Sequence, residues 1–235
     1  MLVAAAVCPC PPLLVPDVAV GAADELAGAR TACADAVGLL AASRPDRLYV
    51  VGPAGEDAAG TFPAGSVGSF AGFGVDLSVR LGTGPVGERP LPTSLSVGAW
   101  LLERAHWADA PIEGLAVAER LDEARCGAVG RELAASADRV ALLVMGDGSA
   151  CRTLKAPGYL DERAAPFDAA AARALGAADL EALRALDENL AYELKAAGRA
   201  PWQVLAGAAE GAGLEGRLLY EEAPYGVGYI VAAWS

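Results

Sequence analysis

Histidine is nearly missing from this chain: His106 is the single one in 235 residues. One imidazole cannot by itself supply a site that a single chain builds from two or more of them. Concentrated positive charge is missing too. Lys and Arg number 18 against 30 Asp and Glu, for a net charge of −12, and the basic residues are scattered. That distribution argues against nucleic acid or an anionic membrane as partner and leaves a small molecule or another protein. No apolar stretch is long enough to cross a bilayer, and the opening MLVAAAVCPC has no basic n-region. Neither a signal peptide nor a span is read from it, so a cytoplasmic protein is expected. Cysteines are few and odd in number, Cys8, Cys10, Cys33, Cys126 and Cys151, in a chain too long to need disulfide staples. Reduced thiols are expected. Linkers, long repeats and breaks in composition are also lacking, so residues 1–235 read as one domain with ample apolar content for a core.

What is present reads as alternating strands and helices. Leu2 to Val7 is uniformly apolar, as a strand covered on both faces should be, and the Pro-rich Cys8-Pro9-Cys10-Pro11-Pro12 ends it. Gly21 to Ser43 has apolar residues at helical spacing, and Arg47 to Gly52 is a second strand, which together make a βαβ unit. Residues 53–74 lack a sustained period and are expected to be a long loop, followed by a strand at Val75 to Leu81. Pro90 to Trp107 is helical in its second half, Leu115 to Glu119 is strand-like, and Asp122 is the expected N-cap for a helix to Ala137. Arg139 to Met145 is the clearest core strand. Asp179 to Ala197 carries Leu183, Leu186, Leu190 and Leu194 on one face with Gly198 as its stop, and Pro201 opens a further helix to about Glu210. Arg217 to Glu221 and Gly226 to Trp234 are the final strands. The expected architecture is a single α/β domain with a mostly parallel sheet and helices on both faces.

In open α/β sheets, ligands collect at the carboxyl ends of the strands. The residues there are Cys8 and Cys10, then 52–57, then Asp147 to Arg152, then Glu221, Glu222 and Tyr225. Cys33 and Cys126 lie on helix faces and read as packing, as Cys8 can, whereas Cys10 and Cys151 sit at strand exits. Cys8 and Cys10 are separated by one residue, which would strain a disulfide, and they do not open a helix as a C-x-x-C pair would. Asp147 and Ser149 either cap a tight turn or, with Arg152 and Lys155 close behind, help to hold a carboxylate or phosphate. Of Glu221 and Glu222, one would point inward and need Arg152 or Lys155 as its partner.

Four features together resemble the class III extradiol ring-cleavage dioxygenase superfamily (LigB/Memo-like), in particular its short actinobacterial members. They are a strand followed by C-P-C-P-P-L-L-V-P, a second strand ending in V-G, a G-D-G-S-A-C-R loop, and the closing Y-E-E-A-P-Y-G-V-G-Y. The resemblance spans essentially the whole chain and implies the LigB-like α/β fold with a strand-end pocket. Active members of the superfamily hold Fe(II) with two histidines and a glutamate. Here Cys10 occupies the first histidine position, Pro53 to Asp57 offers no second histidine, and the family's acid–base histidine falls on Ala150 or Cys151. The glutamate corresponds to Glu221 or Glu222, and His106 matches none of these positions.

The expectation that follows is a divergent member that keeps the pocket and binds a small anionic or aromatic ligand without Fe(II) ring cleavage. Cys10, Asp147, Ser149, Cys151 and Glu222 are its candidate reactive residues, and Arg152, Lys155, Glu221 and Tyr225 its candidate ligand contacts. No cofactor is expected. An unusual metal site with Fe(II) or Zn on Cys10, Glu56, Asp57 and Glu222 is the first rival, although thiolate donors favour Zn over Fe(II). A non-catalytic interaction scaffold of Memo type is the second, and an oligomer stays open.

Overall fold

The computed structural model describes every residue from Met1 to Ser235. In chain order its strands are β1 (Leu2–Cys8), β2 (Arg47–Ala54), β3 (Gly60–Phe62), β4 (Val67–Ser69), β5 (Ser78–Arg80), β6 (Ile112–Ala118), β7 (Val140–Met145), β8 (Gly216–Glu222) and β9 (Tyr229–Trp234). Its helices are α1 (Pro16–Ala19), α2 (Ala27–Ala42), α3 (Thr93–Arg104), α4 (Glu123–Ala135), α5 (Ala164–Ala177), α6 (Leu180–Arg184), α7 (Glu188–Glu193) and α8 (Arg199–Ala208). Seven strands form one sheet in the order β3-β6-β2-β7-β1-β9-β8. Its centre, β6-β2-β7-β1, is parallel, while β3, β9 and β8 add in antiparallel fashion at the sides. The runs 2–7, 48–51 and 140–145 all lie in this sheet as expected, and the last run enters it at Tyr229 rather than Gly226.

Strand periodicity divides the central side chains between two cores. Ala4, Ala6, Cys8, Leu48, Val50, Leu143 and Met145 pack beneath α2 and α3. Ala5, Val7, Tyr49, Val51, Leu142 and Val144 pack beneath α4, α5 and α8. Both faces are therefore covered, which accounts for strands with no polar alternation. Asp122 caps α4 as predicted, its carboxylate accepting the Arg125 amide at 2.9 Å.

Several elements depart from the sequence reading. Residues 20–26 wind as a 3-10 segment, so α2 begins at Ala27 and not at Gly21. The expected loop at 53–74 contains β3, which pairs with β6, and β4, which pairs with β5 in a separate two-stranded sheet. The predicted strand at 75–81 is thus shortened and lies outside the main sheet. The single helix expected at 179–197 is broken into α6 and α7. Asp187 caps α7 by accepting the Leu190 amide at 2.7 Å, and Gln203 of α8 donates to the carbonyls of Leu183, Arg184 and Leu186 at 3.3, 3.0 and 3.1 Å. Those side chains satisfy the backbone groups that a continuous helix would have used itself. Helix α5 was not foreseen.

Candidate functional site

The parallel strands end on one edge of the sheet at Cys8, Ala54, Ala118 and Met145, and the antiparallel β9 begins there at Tyr229 opposite Glu222. Loops leaving these ends meet in two clusters and one cleft.

In the first cluster the β1 and β7 exits are tied together. The Cys10 amide donates to Asp147 Oδ1 at 2.8 Å, and its thiol faces Oδ2 at 3.9 Å. The Asp147 carbonyl in turn accepts the Gly198 amide at 2.8 Å. Asp147 is half-buried, and desolvation pushes its carboxyl up to about 7, against the pull of the two Cys10 hydrogen bonds. Burial, followed by the neighbouring Asp147 charge, holds the Cys10 thiol well above its ordinary range. A thiol so placed stays protonated near neutral pH, which makes it a poor nucleophile and a poor metal ligand. Tyr229 adjoins this pair: burial and then the Asp147 charge raise its phenol. Although the residue is 2% exposed, its hydroxyl makes no hydrogen bond within the protein and is not sealed from solvent.

The second cluster centres on Asp168 of α5, a residue 1% exposed. Its Oδ1 accepts the Ser149 amide at 2.6 Å, and its Oδ2 accepts the Ser149 hydroxyl at 2.8 Å and Arg152 Nη1 at 3.0 Å. Glycine is required where the chain passes this carboxylate: a Cβ at Gly228 would lie 2.5 Å from Oδ2, and one at Gly148 would lie 2.7 Å from Oδ1. The Gly148 amide donates to the Gly228 carbonyl and the Gly228 amide to the Ser149 carbonyl, at 2.7 and 2.8 Å, so the two loops close over the carboxylate as a unit. Ser149 is wholly buried and serves as a pin, not as a nucleophile.

The cleft lies beside this second cluster. Thr153, Leu154, Lys155, Pro224 and Tyr225 line about 650 Å³. Lys155 is exposed and makes no ion pair. Tyr225 is held by its hydroxyl, which donates to Glu25 Oε2 at 2.9 Å. A further hollow of about 480 Å³ is lined by Glu119, Tyr192, Glu193, Lys195 and Ala197.

Measured against the sequence reading, Cys10 and Asp147 meet, as do Ser149 and Arg152, and Lys155 and Tyr225. Others do not. Arg152 is committed to Asp168 and not to Glu221 or Glu222, because the buried carboxylate on α5 needs a cation and the exposed edge-strand glutamates do not. Glu221 and Glu222 are exposed on β8, where Glu222 accepts the Tyr220 hydroxyl at 3.1 Å. Cys151 is buried away from Cys10, in a small core with Phe167 and Leu194, and its thiol donates to the Leu194 carbonyl at 3.4 Å. Glu56 and Asp57 are exposed on a short turn after β2. No three His, Cys, Asp or Glu side chains converge at metal-binding distance, so Cys10, Glu56, Asp57 and Glu222 do not assemble the facial set that a catalytic iron requires. The residues that were missed are Asp168 and Tyr229. Asp168 had one visible signal, a lone acid on the apolar stripe Ala164, Phe167, Ala171 and Leu175.

No family model matches the chain, and no curated protein matches it. Among solved structures, it is similar to an uncharacterized protein from Escherichia coli, with a TM-score of 0.58 over 99% of this chain and 99% of that one. The likeness shows the fold. At 15% identity it carries nothing about activity.

Proposed function

We propose that the chain is a divergent class III extradiol dioxygenase-like protein whose strand-end cleft binds a small anionic or aromatic ligand without Fe(II) ring cleavage. One observation supports this reading above the rest: Cys10, at the position of the family's first iron ligand, is locked by its amide and thiol to Asp147. A protonated thiol beside a carboxyl of raised pKa does not replace an imidazole, and the exposed Glu222 lies on an edge strand with Tyr220 as its partner. Beside the Asp168 cluster, the cleft offers Lys155 as an uncommitted cation and Tyr225 and Leu154 as apolar walls, a pairing suited to an aromatic acid. Arg152 contributes indirectly by holding the loop that carries Lys155.

The test is thermal denaturation with benzoate, protocatechuate and phosphate in turn. Stabilisation should grow with ligand concentration over its dissociation constant, and Lys155→Ala should reduce it by the part that the cleft contributes while leaving the unliganded melting temperature unchanged. Absence of any shift across these probes would favour the second reading, an interaction scaffold of Memo type. That reading has one supporting observation, the exposure of Leu154, Tyr159 and Leu160 on the loop beside the cleft.

A further inference from the structure

Away from the strand ends, α2 and α3 lie side by side over one sheet face and leave a hollow of about 550 Å³ between them, a volume typical of small-ligand sites. Arg30, Thr31, Ala34 and Gly38 of α2 face Trp100 and Arg104 of α3 across it. In a chain of net charge −12, no carboxylate lines this hollow. Neither arginine is in an ion pair. Arg30 is oriented by donation from Nη2 to the Ala23 carbonyl at 2.6 Å, and its Nη1 is buried with no partner. Arg104 lies over the Trp100 ring, with Cζ 5.1 Å from the centroid. Trp100 is 6% exposed, yet its indole N–H makes no hydrogen bond within the protein and is not sealed from solvent. A buried donor without a partner, as Arg30 Nη1 is, is rare in folded proteins and calls for an explanation. The α2 wall is open because its residues are small: a Cβ at Gly38 would meet nothing within 4 Å.

We propose that this hollow is a second binding site, for a small amphipathic anion: a flat apolar body carrying one carboxylate or phosphate. The anionic group would take the guanidinium of Arg30 with the Thr31 hydroxyl, and the body would lie along Ala34 and Gly38 toward Trp100 and Arg104. Charge decides between this occupant and a second copy of the chain. A two-fold contact through the hollow would bring the same arginines together from both copies, which repel. The site shares no residue with the Lys155 cleft and stands whether or not that cleft binds anything.

The experiment is titration of the ¹⁵N-labelled full chain with phenyl phosphate, benzoate, inorganic phosphate and phenol, read at the Trp100 indole resonance. Phenyl phosphate and benzoate should move it saturably with one-to-one stoichiometry, whereas inorganic phosphate and phenol, each offering half of the chemistry, should bind about tenfold more weakly or worse. Arg30→Ala and Arg104→Ala should each weaken phenyl phosphate about tenfold. The indoles of Trp107, Trp202 and Trp234 then report an intact fold, and Lys155→Ala should leave the Trp100 response unchanged. A Trp100 resonance that does not saturate, or a response that survives both arginine variants, would overturn the site. So would a Trp100 shift that tracks dimer formation without ligand, which would assign the hollow to a second copy.

Discussion

Asp147 is an acid whose neutral form the fold favours. Its carboxyl rises from about 3.8 to about 7 through desolvation, so between those values the unfolded chain has released a proton that the folded chain still holds. Stability from this group is therefore full below about 4 and is lost as pH rises to about 7, beyond which the penalty is constant. Asp147→Asn keeps an acceptor for the Cys10 amide and removes the charge. Its stability advantage over the natural chain should be absent near pH 4, grow through pH 7 and level off at about 1–3 kcal/mol, as read by denaturant unfolding across pH. A flat difference would mean that Asp147 titrates normally. Asp168 is buried as well, and its carboxylate is matched by Arg152 and Ser149. Arg152→Ala should cost about 3–5 kcal/mol by leaving that carboxylate alone, whereas a solvated Arg152 would cost almost nothing. Asp147 and Ser149 were legible in the sequence because they follow the purest apolar run of the chain. Asp168 was not, because it reaches Ser149 across 19 residues from a helix whose neighbours are mostly alanine.

The break between α6 and α7 shows how tertiary contacts override a clear helical period. Leu183, Leu186, Leu190 and Leu194 repeat as one helix would, and Leu183 and Leu194 are fully buried. The backbone between them nevertheless turns, because Gln203 and the Asp187 cap take the groups that continuation would have paired. Arg199 works beside Gln203: 1% exposed, it donates to the carbonyls of Leu121 and Glu119, both at 2.5 Å, and to Gln203 Oε1 at 2.9 Å. Gln203→Ala should therefore destabilise the chain by about 1–3 kcal/mol, with the fastest gain in amide exchange at residues 183–190. Uniform exchange across α6, α7 and α8 would deny Gln203 this role. The same reasoning explains which elements were legible. Strands β1, β2 and β7 are read from unbroken apolar runs because both of their faces are covered, and α4 from its Asp122 cap. The short strand β3 depends on β6, a partner distant in sequence, and leaves no local period to read, whereas β5 falls within the strand expected at 75–81 and its nearby partner β4 is too short to show a period.

At the scale of the molecule, a parallel centre with antiparallel flanks brings the exits of β1, β2, β6 and β7 to one edge, and the expectation of a site at the strand ends depends on that geometry. Composition holds no information on which charges are already paired. Arg152 and Lys155 looked alike in sequence, and only Lys155 is free in the fold. The same held for the acids: Glu221 and Glu222 were the expected ligand candidates and are exposed, whereas Asp147 and Asp168 organise the loops. The central claim, a strand-end site without iron chemistry, is tested most directly by incubating the purified chain with Fe(II) and protocatechuate in air and following ring-opened product by absorbance. The account predicts no product above that formed by Fe(II) alone. Product formation that requires the protein and disappears in Glu222→Ala would contradict it.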